Sequence, residues 1–161
     1  VGMGGISEKD STECLPSYAA GSGRTQALNL GQVTVVDDSY NANPASMTEA
    51  LTMLSEAEGR KTYAVLGHMA ELGELDITEH KRIGELASLN ADCLCVVGDK
   101  ARELFLAAQR TAASDSHYFD NHDDCADYLA EELKADDIVL VKGSRSACME
   151  RVVNHLRGGL N

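Results

Sequence analysis

Short apolar runs alternate with segments of helical periodicity along most of this chain. The runs are rich in β-branched residues and most end at a glycine or a polar turn, which is typical of buried strands. We predict strands at residues 25–30, 33–36, 62–66, 93–97, 117–119 and 138–141, and helices at residues 46–57, 78–89, 100–111, 123–133 and 149–156. Such alternation is typical of a mainly parallel sheet with helices on both faces, so an α/β fold of about six strands is expected.

The first two predicted strands differ from the rest because only Gly31 and Gln32 separate them. A two-residue connection joins antiparallel strands, so one antiparallel strand is expected at the edge of the sheet. Ahead of it, residues 1–23 have the pattern of a short acidic helix and a linker rich in Gly, Ser and Pro. Because the chain begins with Val1, we expect residues 1–23 to come from a preceding domain and residues 24–161 to form the α/β domain.

The formal net charge of −12 argues against two classes of partner, because nucleic acids and anionic membranes both attract basic surfaces. No apolar run approaches the ~20 residues of a membrane-spanning helix, and the N-terminus lacks the pattern of a signal peptide. The five cysteines are odd in number and contain no C-x-x-C spacing, so neither a disulfide framework nor a zinc site is predicted. We therefore expect a folded protein of the reducing cytoplasm.

The most informative segment is the stretch from Asp37 to Met47, with the sequence DDSYNANPASM. It directly follows the predicted strand at residues 33–36 and runs into the predicted helix at residues 46–57. Two carboxylates, a phenol and two amides therefore crowd the turn at the carboxyl end of a strand, which is where ligands bind in open α/β sheets. A turn that only reversed the chain would not need so many donors and acceptors.

Three other predicted strands also end in turns that contain glycine and charged or polar residues. These turns are Gly67-His68-Met69, Gly98-Asp99-Lys100 and Lys142-Gly143-Ser144-Arg145. In a parallel sheet the carboxyl ends of the strands share one edge, so all four turns should converge on one crevice. The sequence therefore predicts a ligand site at that edge.

The residue types alone leave two interpretations open at several of these positions. Asp38 could accept hydrogen bonds from a pair of ribose hydroxyls or could cap a turn, and Tyr40 could stack on a base or cover the core. Arg24 follows Gly21-Ser22-Gly23 and could contact a phosphate or be a solvated linker charge. The turn at residues 142–145 suits a carboxylate or a phosphate, but also a simple turn with a helix cap.

Two observations limit the chemistry of this site. No G-x-x-x-x-G-K-[ST] motif occurs, so the usual means of holding the β- and γ-phosphates of a nucleotide is absent from this sequence. His80 lies in a predicted helix with no other histidine at ligand spacing, so no metal site is expected there. Because the chain is strongly acidic, any phosphate that it binds would need local cations or a metal.

Several sequence elements, in this order, closely resemble the C-terminal domain of the Mur ligases. They are Gly23-Arg24-Thr25-Gln26, the stretch from Asp37 to Met47, VLGHMAELG at residues 65–73, His80 with Gly84, and VKGSR at residues 141–145 with Met149-Glu150-Arg151. Within the family the likeness is nearest to the ligases that add D-alanyl-D-alanine to a UDP-linked muramoyl tripeptide. His68 departs from the aspartate usual at its position, which favours a backbone role for that loop.

The resemblance implies a Rossmann-like domain of an ATP-dependent ligase of peptidoglycan synthesis in the bacterial cytoplasm. In that family ATP converts the carboxylate of UDP-N-acetylmuramoyl-tripeptide into an acyl phosphate, which the amine of D-alanyl-D-alanine attacks. An N-terminal domain holds the UDP-sugar, and a central domain holds Mg²⁺ and most of the ATP, so this chain alone should be inactive. The alternative is a free-standing, non-catalytic nucleotide-binding module with a Rossmann-like sheet.

The resemblance also implies roles for individual residues, but it implies no catalytic residue and no metal ligand in this chain. The residues implied for ATP are Arg24 at the phosphates, Asp38 at the ribose, and Tyr40, Asn41 and Asn43 near the adenine. The residues implied for the carboxylate of D-alanyl-D-alanine are Lys142, Ser144 and Arg145.

Overall fold

The computed structural model describes residues 25–111 and 114–160, which contain one six-stranded sheet. Arg24 and the helix and linker expected within residues 1–23 lie outside the described residues. The strands are β1 (Gln26–Leu30), β2 (Val33–Asp38), β3 (Thr62–Leu66), β4 (Cys93–Val97), β5 (Asp115–Phe119) and β6 (Ile138–Lys142). Their spatial order is β1-β2-β6-β3-β4-β5; β1 pairs with β2 antiparallel, and every other neighbouring pair is parallel. This topology confirms the predicted mainly parallel sheet with one antiparallel edge strand.

Helices cover both faces of the sheet, as expected. Within the described residues the α-helices are α1 (Pro44–Ser55), α2 (Asp76–Asn90), α3 (Arg102–Thr111), α4 (His122–Glu132) and α5 (Glu150–Leu160). Alternate strand residues point to opposite faces: Leu66 and Val96 lie in the core under α1, α2 and α3, whereas Val65 and Cys95 lie in the core under α4 and α5. None of the helices in this part of the chain is long and apolar enough to cross a membrane.

Two strands extend by two residues beyond their predicted bounds into polar sequence, and β6 extends by one, to Lys142. β2 continues to Asp38, past the predicted end at residue 36, because Asp38 pairs with Lys142 of β6. β5 begins at Asp115, earlier than the predicted His117, because its first residues pair with β4. Apolar periodicity cannot indicate these extensions, since the added residues are polar and are ordered by the neighbouring strand.

The first turn of α1 begins at Pro44, earlier than the predicted start at Ser46. The fixed φ of proline suits the first position of a helix. Asn43 is the N-cap: its Oδ1 accepts a hydrogen bond from the backbone N–H of Ser46 at 2.8 Å, and the Ser46 hydroxyl accepts one from the N–H of Asn43 at 3.0 Å. This reciprocal cap fixes the point at which the chain leaves the polar segment and enters the helix.

β6 is the last strand in the chain, yet it lies between β2 and β3. The chain runs outward from β3 through β4 to β5 and then returns to the middle of the sheet. In the resulting register Lys142 lies opposite Asp38 of β2 on one side and opposite Leu66 of β3 on the other. The strand order therefore reverses here, and the crevice outside the carboxyl ends of these strands is where such a fold positions a ligand.

α2 and α3 approach each other closely at Gly84. A β-carbon at this position would lie 2.1 Å from the carbonyl oxygen of Leu104, which is far below van der Waals contact. The neighbouring Ile83 and Ala87 are fully buried in the same core. The glycine of the element formed by His80 and Gly84 therefore serves helix packing.

We expect Gly84→Ala to lower the free energy of unfolding by about 1–3 kcal/mol, because the new methyl group must displace a backbone carbonyl. The measurement is urea denaturation of the chain. Gly158→Ala is the matched control, since Gly158 lies in α5 and an added β-carbon would meet no atom within 4 Å. The control should gain up to about 1 kcal/mol from helix propensity. Equal stability of the two variants would contradict the packing role of Gly84.

Candidate functional site

A buried ion pair joins β6 to β2 at the crevice. The Lys142 ammonium donates a hydrogen bond to Oδ2 of Asp38 at 3.0 Å and another to the carbonyl oxygen of Asn41 at 3.0 Å. The side chain of Lys142 is 3% exposed, whereas that of Asp38 is 20% exposed. A buried ammonium is tolerated only when it is paired and hydrogen-bonded. Lys142 thus fixes the Asp38 carboxylate while leaving part of it accessible from the crevice.

The turn after β2 is held by its own side chains. Oδ1 of Asp37 accepts hydrogen bonds from the hydroxyl of Ser39 at 2.5 Å and from its backbone N–H at 3.2 Å. Oδ1 of Asn41 accepts one from the N–H of Ala42 at 2.9 Å. With Asn43 as the cap of α1, the polar residues of this segment first shape the backbone. Asn41 and Asn43 remain exposed on its surface, so their predicted contacts with adenine stay predictions.

Tyr40 and Arg145 meet across the crevice. The guanidinium carbon of Arg145 lies 5.4 Å from the centroid of the Tyr40 ring, within range of a cation–π contact. Nη1 of Arg145 also lies 3.5 Å from Oε1 of Glu150 at the start of α5. Tyr40 is 42% exposed, so one aromatic surface faces outward beside a cation. The two residues were predicted for different ligands, and the structure sets them side by side.

Glu150 is a buried carboxylate that sequence reasoning did not single out. Burial raises the pKa of Glu150, and the neighbouring Arg145 acts in the opposite direction. Its position under Arg145 limits where that guanidinium can point. The only signal in the sequence was the Met149-Glu150-Arg151 element, which does not by itself show which side chain turns inward.

The turns after β3 and β6 continue to pair beyond the ends of the strands. The N–H of Gly67 donates to the carbonyl oxygen of Lys142 at 2.9 Å, and the N–H of Ser144 donates to the carbonyl oxygen of His68 at 2.9 Å. The Ser144 side chain is buried, and its hydroxyl lies 3.3 Å from that of Ser146. These bonds hold the two turns together as the floor of the crevice.

His80 anchors one of these turns. Its Nε2 accepts a hydrogen bond from the backbone N–H of Met69 at 3.0 Å, and its Nδ1 lies 2.8 Å from the carbonyl oxygen of Asp76, to which it donates. Both ring nitrogens are therefore used by backbone groups, which fixes a neutral ring with its proton on Nδ1. His80 therefore has no ring nitrogen left to bind a metal, and it serves to hold this turn.

His68 is a neutral member of the same turn. Its Nε2 lies 2.9 Å from the hydroxyl of Ser146. Burial lowers the pKa of His68 to about 4, and the positive charge of Lys100 acts in the same direction.

A cavity of about 450 Å³ opens between α1 and the sheet beside the Lys142–Asp38 pair. Val36, Met53 and Leu140 contribute apolar wall, and Glu49 adds a carboxylate. The crevice therefore combines fixed charges with an apolar recess. The predicted site residues that the structure gathers at this edge are Asp38, Tyr40, Asn41, Asn43, Lys142, Ser144 and Arg145.

Curated relatives of this chain from different bacteria carry the same protein name. The chain is 30% identical over 155 residues to the UDP-N-acetylmuramoyl-tripeptide–D-alanyl-D-alanine ligase of Borreliella burgdorferi, covering 95% of this chain and 33% of the relative. It is 38% identical over 159 residues to the ligase of the same name from Mycobacterium tuberculosis, covering 83% of this chain and 30% of the relative. The chain thus spans about a third of the length of the curated relatives that it matches.

Solved structures agree in fold. The MurF ligase of Thermotoga maritima in complex with ADP superposes with a TM-score of 0.75 at 29% identity, covering 86% of this chain and 31% of that one. A MurF structure from Acinetobacter baumannii gives 0.75 at 28% identity, covering 84% and 30%. The family model described as Mur ligase, glutamate ligase domain, matches residues 23–145. On this match, the chain belongs to the Mur ligase family and carries its glutamate ligase domain.

Proposed function

We propose that this chain is the C-terminal domain of an ATP-dependent ligase that joins D-alanyl-D-alanine to UDP-N-acetylmuramoyl-tripeptide in the bacterial cytoplasm. The observation that carries the proposal is the Lys142–Asp38 pair at the switch point of the sheet, in a chain similar to ligases of that name. The ADP in the Thermotoga maritima structure supports a nucleotide as one ligand. Residues 24–161 would form the domain, and residues 1–23 would connect it to the rest of the enzyme.

The reaction needs groups that the described crevice does not supply. The tripeptide carboxylate attacks the γ-phosphorus of ATP, ADP leaves, and the amine of the dipeptide then displaces phosphate from the acyl phosphate. Mg²⁺ takes six oxygen ligands and balances the phosphate charge. Among the described residues the crevice gathers no three metal-ligating groups, and Asp38 is paired with Lys142. The residues present here do not fit a magnesium site, so we assign Mg²⁺ and catalysis to the remainder of the enzyme.

For the nucleotide, Asp38 is the residue whose geometry is best defined. Lys142 holds one carboxylate oxygen, so the group is oriented before the ligand arrives and can accept hydrogen bonds from ribose hydroxyls. Tyr40 would stack on the adenine, with Asn41 and Asn43 nearby. Arg24 would reach the phosphates when the domains close.

For the dipeptide, Arg145 is the best placed of the three predicted residues. Its guanidinium lies beside Tyr40 and above Glu150, and a fork of donors suits a carboxylate. Lys142 and Ser144 would support this contact through the backbone bonds and the ion pair that shape the turn. All three residues thus act at the dipeptide end of the site: Arg145 would contact the carboxylate, and Lys142 and Ser144 would hold the turn that carries it.

The isolated chain should release no phosphate above background from ATP, Mg²⁺, UDP-N-acetylmuramoyl-tripeptide and D-alanyl-D-alanine, because its sequence contains no P-loop motif. Turnover by the chain alone would contradict the proposal.

In the complete ligase, Asp38→Asn should raise the KM for ATP about tenfold or more, since charge-assisted hydrogen bonds are lost. Arg24→Ala should mainly lower kcat, because a guanidinium at the phosphates would stabilise the negative charge that develops there in the transition state. Unchanged kinetics in both variants would refute these roles.

The ion pair of Lys142 with Asp38 gives a prediction on stability. Lys142→Met should lower the free energy of unfolding of the chain by about 3 kcal/mol, because it leaves the Asp38 carboxylate without its partner. In an Asp38→Asn background the same change should cost at least about 1 kcal/mol less, since the two residues are coupled. Urea denaturation of the two single variants and the double variant measures this coupling. Costs that add within about 0.5 kcal/mol would show that the pair is not coupled.

His68 gives a prediction on pH dependence. In the unfolded chain histidine takes up a proton below about pH 6.5, but in the fold His68 does so only near its lowered pKa of about 4. The unfolded state therefore binds more protons in that window, so stability falls as the pH falls. Between about pH 7 and about pH 5, the parent chain should lose about 1 kcal/mol more than His68→Gln. Parallel urea titrations measure this difference, and equal losses would contradict a neutral His68.

A further inference from the structure

A second cluster of chemically active side chains lies at the opposite edge of the sheet from the crevice. Cys93 and Asp115 are the first residues of β4 and β5 and lie opposite each other, and Cys95 lies opposite His117 in the same way. Residues two apart on a strand point to the same face. Four potential ligands therefore stand on one face of two adjacent strands, on the side covered by α4.

The side chains of this cluster are close together. The Sγ of Cys93, a carboxylate oxygen of Asp115 and a ring nitrogen of His117 all lie within 4.8 Å of one another. Nε2 of His117 lies 2.9 Å from Oδ2 of Asp115 and 3.0 Å from the hydroxyl of Tyr128 in α4. Cys93 is fully buried, whereas the side chains of His117 and Asp115 are 32% and 60% exposed. A thiol thus lies at the base of a shallow site whose other walls reach solvent.

The donor set selects a class of ion. Thiolate, imidazole and carboxylate are ligands of zinc, whereas calcium and magnesium take oxygen ligands alone. From this geometry we infer that Cys93, Asp115 and His117 bind a zinc ion, with Cys95 or a water in the fourth position. This site is independent of the proposed ligase function, because it lies at the other edge of the sheet.

Two adjustments are needed for binding. Bond lengths of about 2.0–2.3 Å put tetrahedral ligand atoms roughly 3–4 Å apart, so the site must contract slightly, and the two exposed side chains can move to allow this. The Cys93 thiol must also lose its proton to solvent as the zinc–sulfur bond forms. A hydrogen bond with Cys95 is the main cause, and burial the second, of a pKa of the Cys93 thiol well above its ordinary value. A bound dication favours the thiolate and opposes that effect.

The sequence did not indicate this site. Its ligands come from two strands with a whole helix between them, and the Cys93-Leu94-Cys95 alternation is typical of buried strand cysteines. The pairing of β4 with β5 is what brings the thiols beside the imidazole and the carboxylate.

The test is cobalt and zinc titration of the complete chain, reduced and prepared without a histidine tag. Co²⁺ should bind with one equivalent per chain and give a thiolate-to-cobalt charge-transfer absorption that Zn²⁺ abolishes. Cys93→Ala and His117→Ala should each weaken Co²⁺ binding at least about tenfold. Loss of a residue that only supports a metal ligand already costs about that much, so loss of a ligand should cost no less. The matched control is His155→Ala, because His155 also lies beside carboxylates, 3.3 Å from Asp123 and 2.8 Å from Asp127, but beside no cysteine in these contacts. This variant should bind Co²⁺ as the parent chain does.

Far-UV circular dichroism must first show that each variant is folded. If Cys93→Ala does not fold, the His117→Ala and Asp115→Asn variants still decide the outcome, because both side chains are partly exposed. Zinc should also raise the Tm of the parent chain and of His155→Ala but not that of His117→Ala. Absence of a thiolate–cobalt band in the parent, or equal binding by the parent and His117→Ala, would overturn the inference.

Discussion

The ion pair between Lys142 and Asp38 is the interaction on which the crevice depends. It joins the carboxyl ends of two parallel strands that are neighbours only because β6 returns to the middle of the sheet. Burial of an ammonium this deep is costly unless it is paired with a carboxylate and hydrogen-bonded to further acceptors. Asp38 supplies the carboxylate, and Asn41 supplies a second acceptor from its backbone. One side chain therefore fixes both the direction of Asp38 and the course of the turn that follows it.

The remaining features of the crevice follow from the same strand insertion. Because β6 also lies beside β3, the turns after these strands exchange backbone hydrogen bonds, and His80 holds the far side of the β3 turn through Met69. Arg145 leaves β6 close to Tyr40 from β2. The result is a preorganised surface with fixed charges and one exposed aromatic ring. We propose that it binds the nucleoside of ATP. The sequence contains no P-loop motif to hold the β- and γ-phosphates, which agrees with a domain that would work by closing against another.

The sequence predicted the strands at residues 62–66 and 93–97 to the residue, because both are buried apolar runs that end at a glycine. It also predicted that the turns after β2, β3 and β6 meet at one crevice, because parallel strands share a carboxyl edge. It could not predict that β6 lies between β2 and β3, since the Lys142–Asp38 contact joins residues 104 positions apart. The roles of Gly84 in helix packing and of His80 in anchoring a turn depend on such contacts as well. Polar extensions of strands were missed for the same reason.

The most direct test of this account is a structure of the complete ligase with tripeptide and a non-hydrolysable ATP analogue, in which the domains are driven to close. The account predicts that the Asp38 carboxylate lies within about 3.2 Å of a ribose hydroxyl oxygen while Lys142 still holds its other side. If the closed enzyme binds the nucleoside with Asp38 turned away from the ribose, the proposed role of Asp38 is wrong.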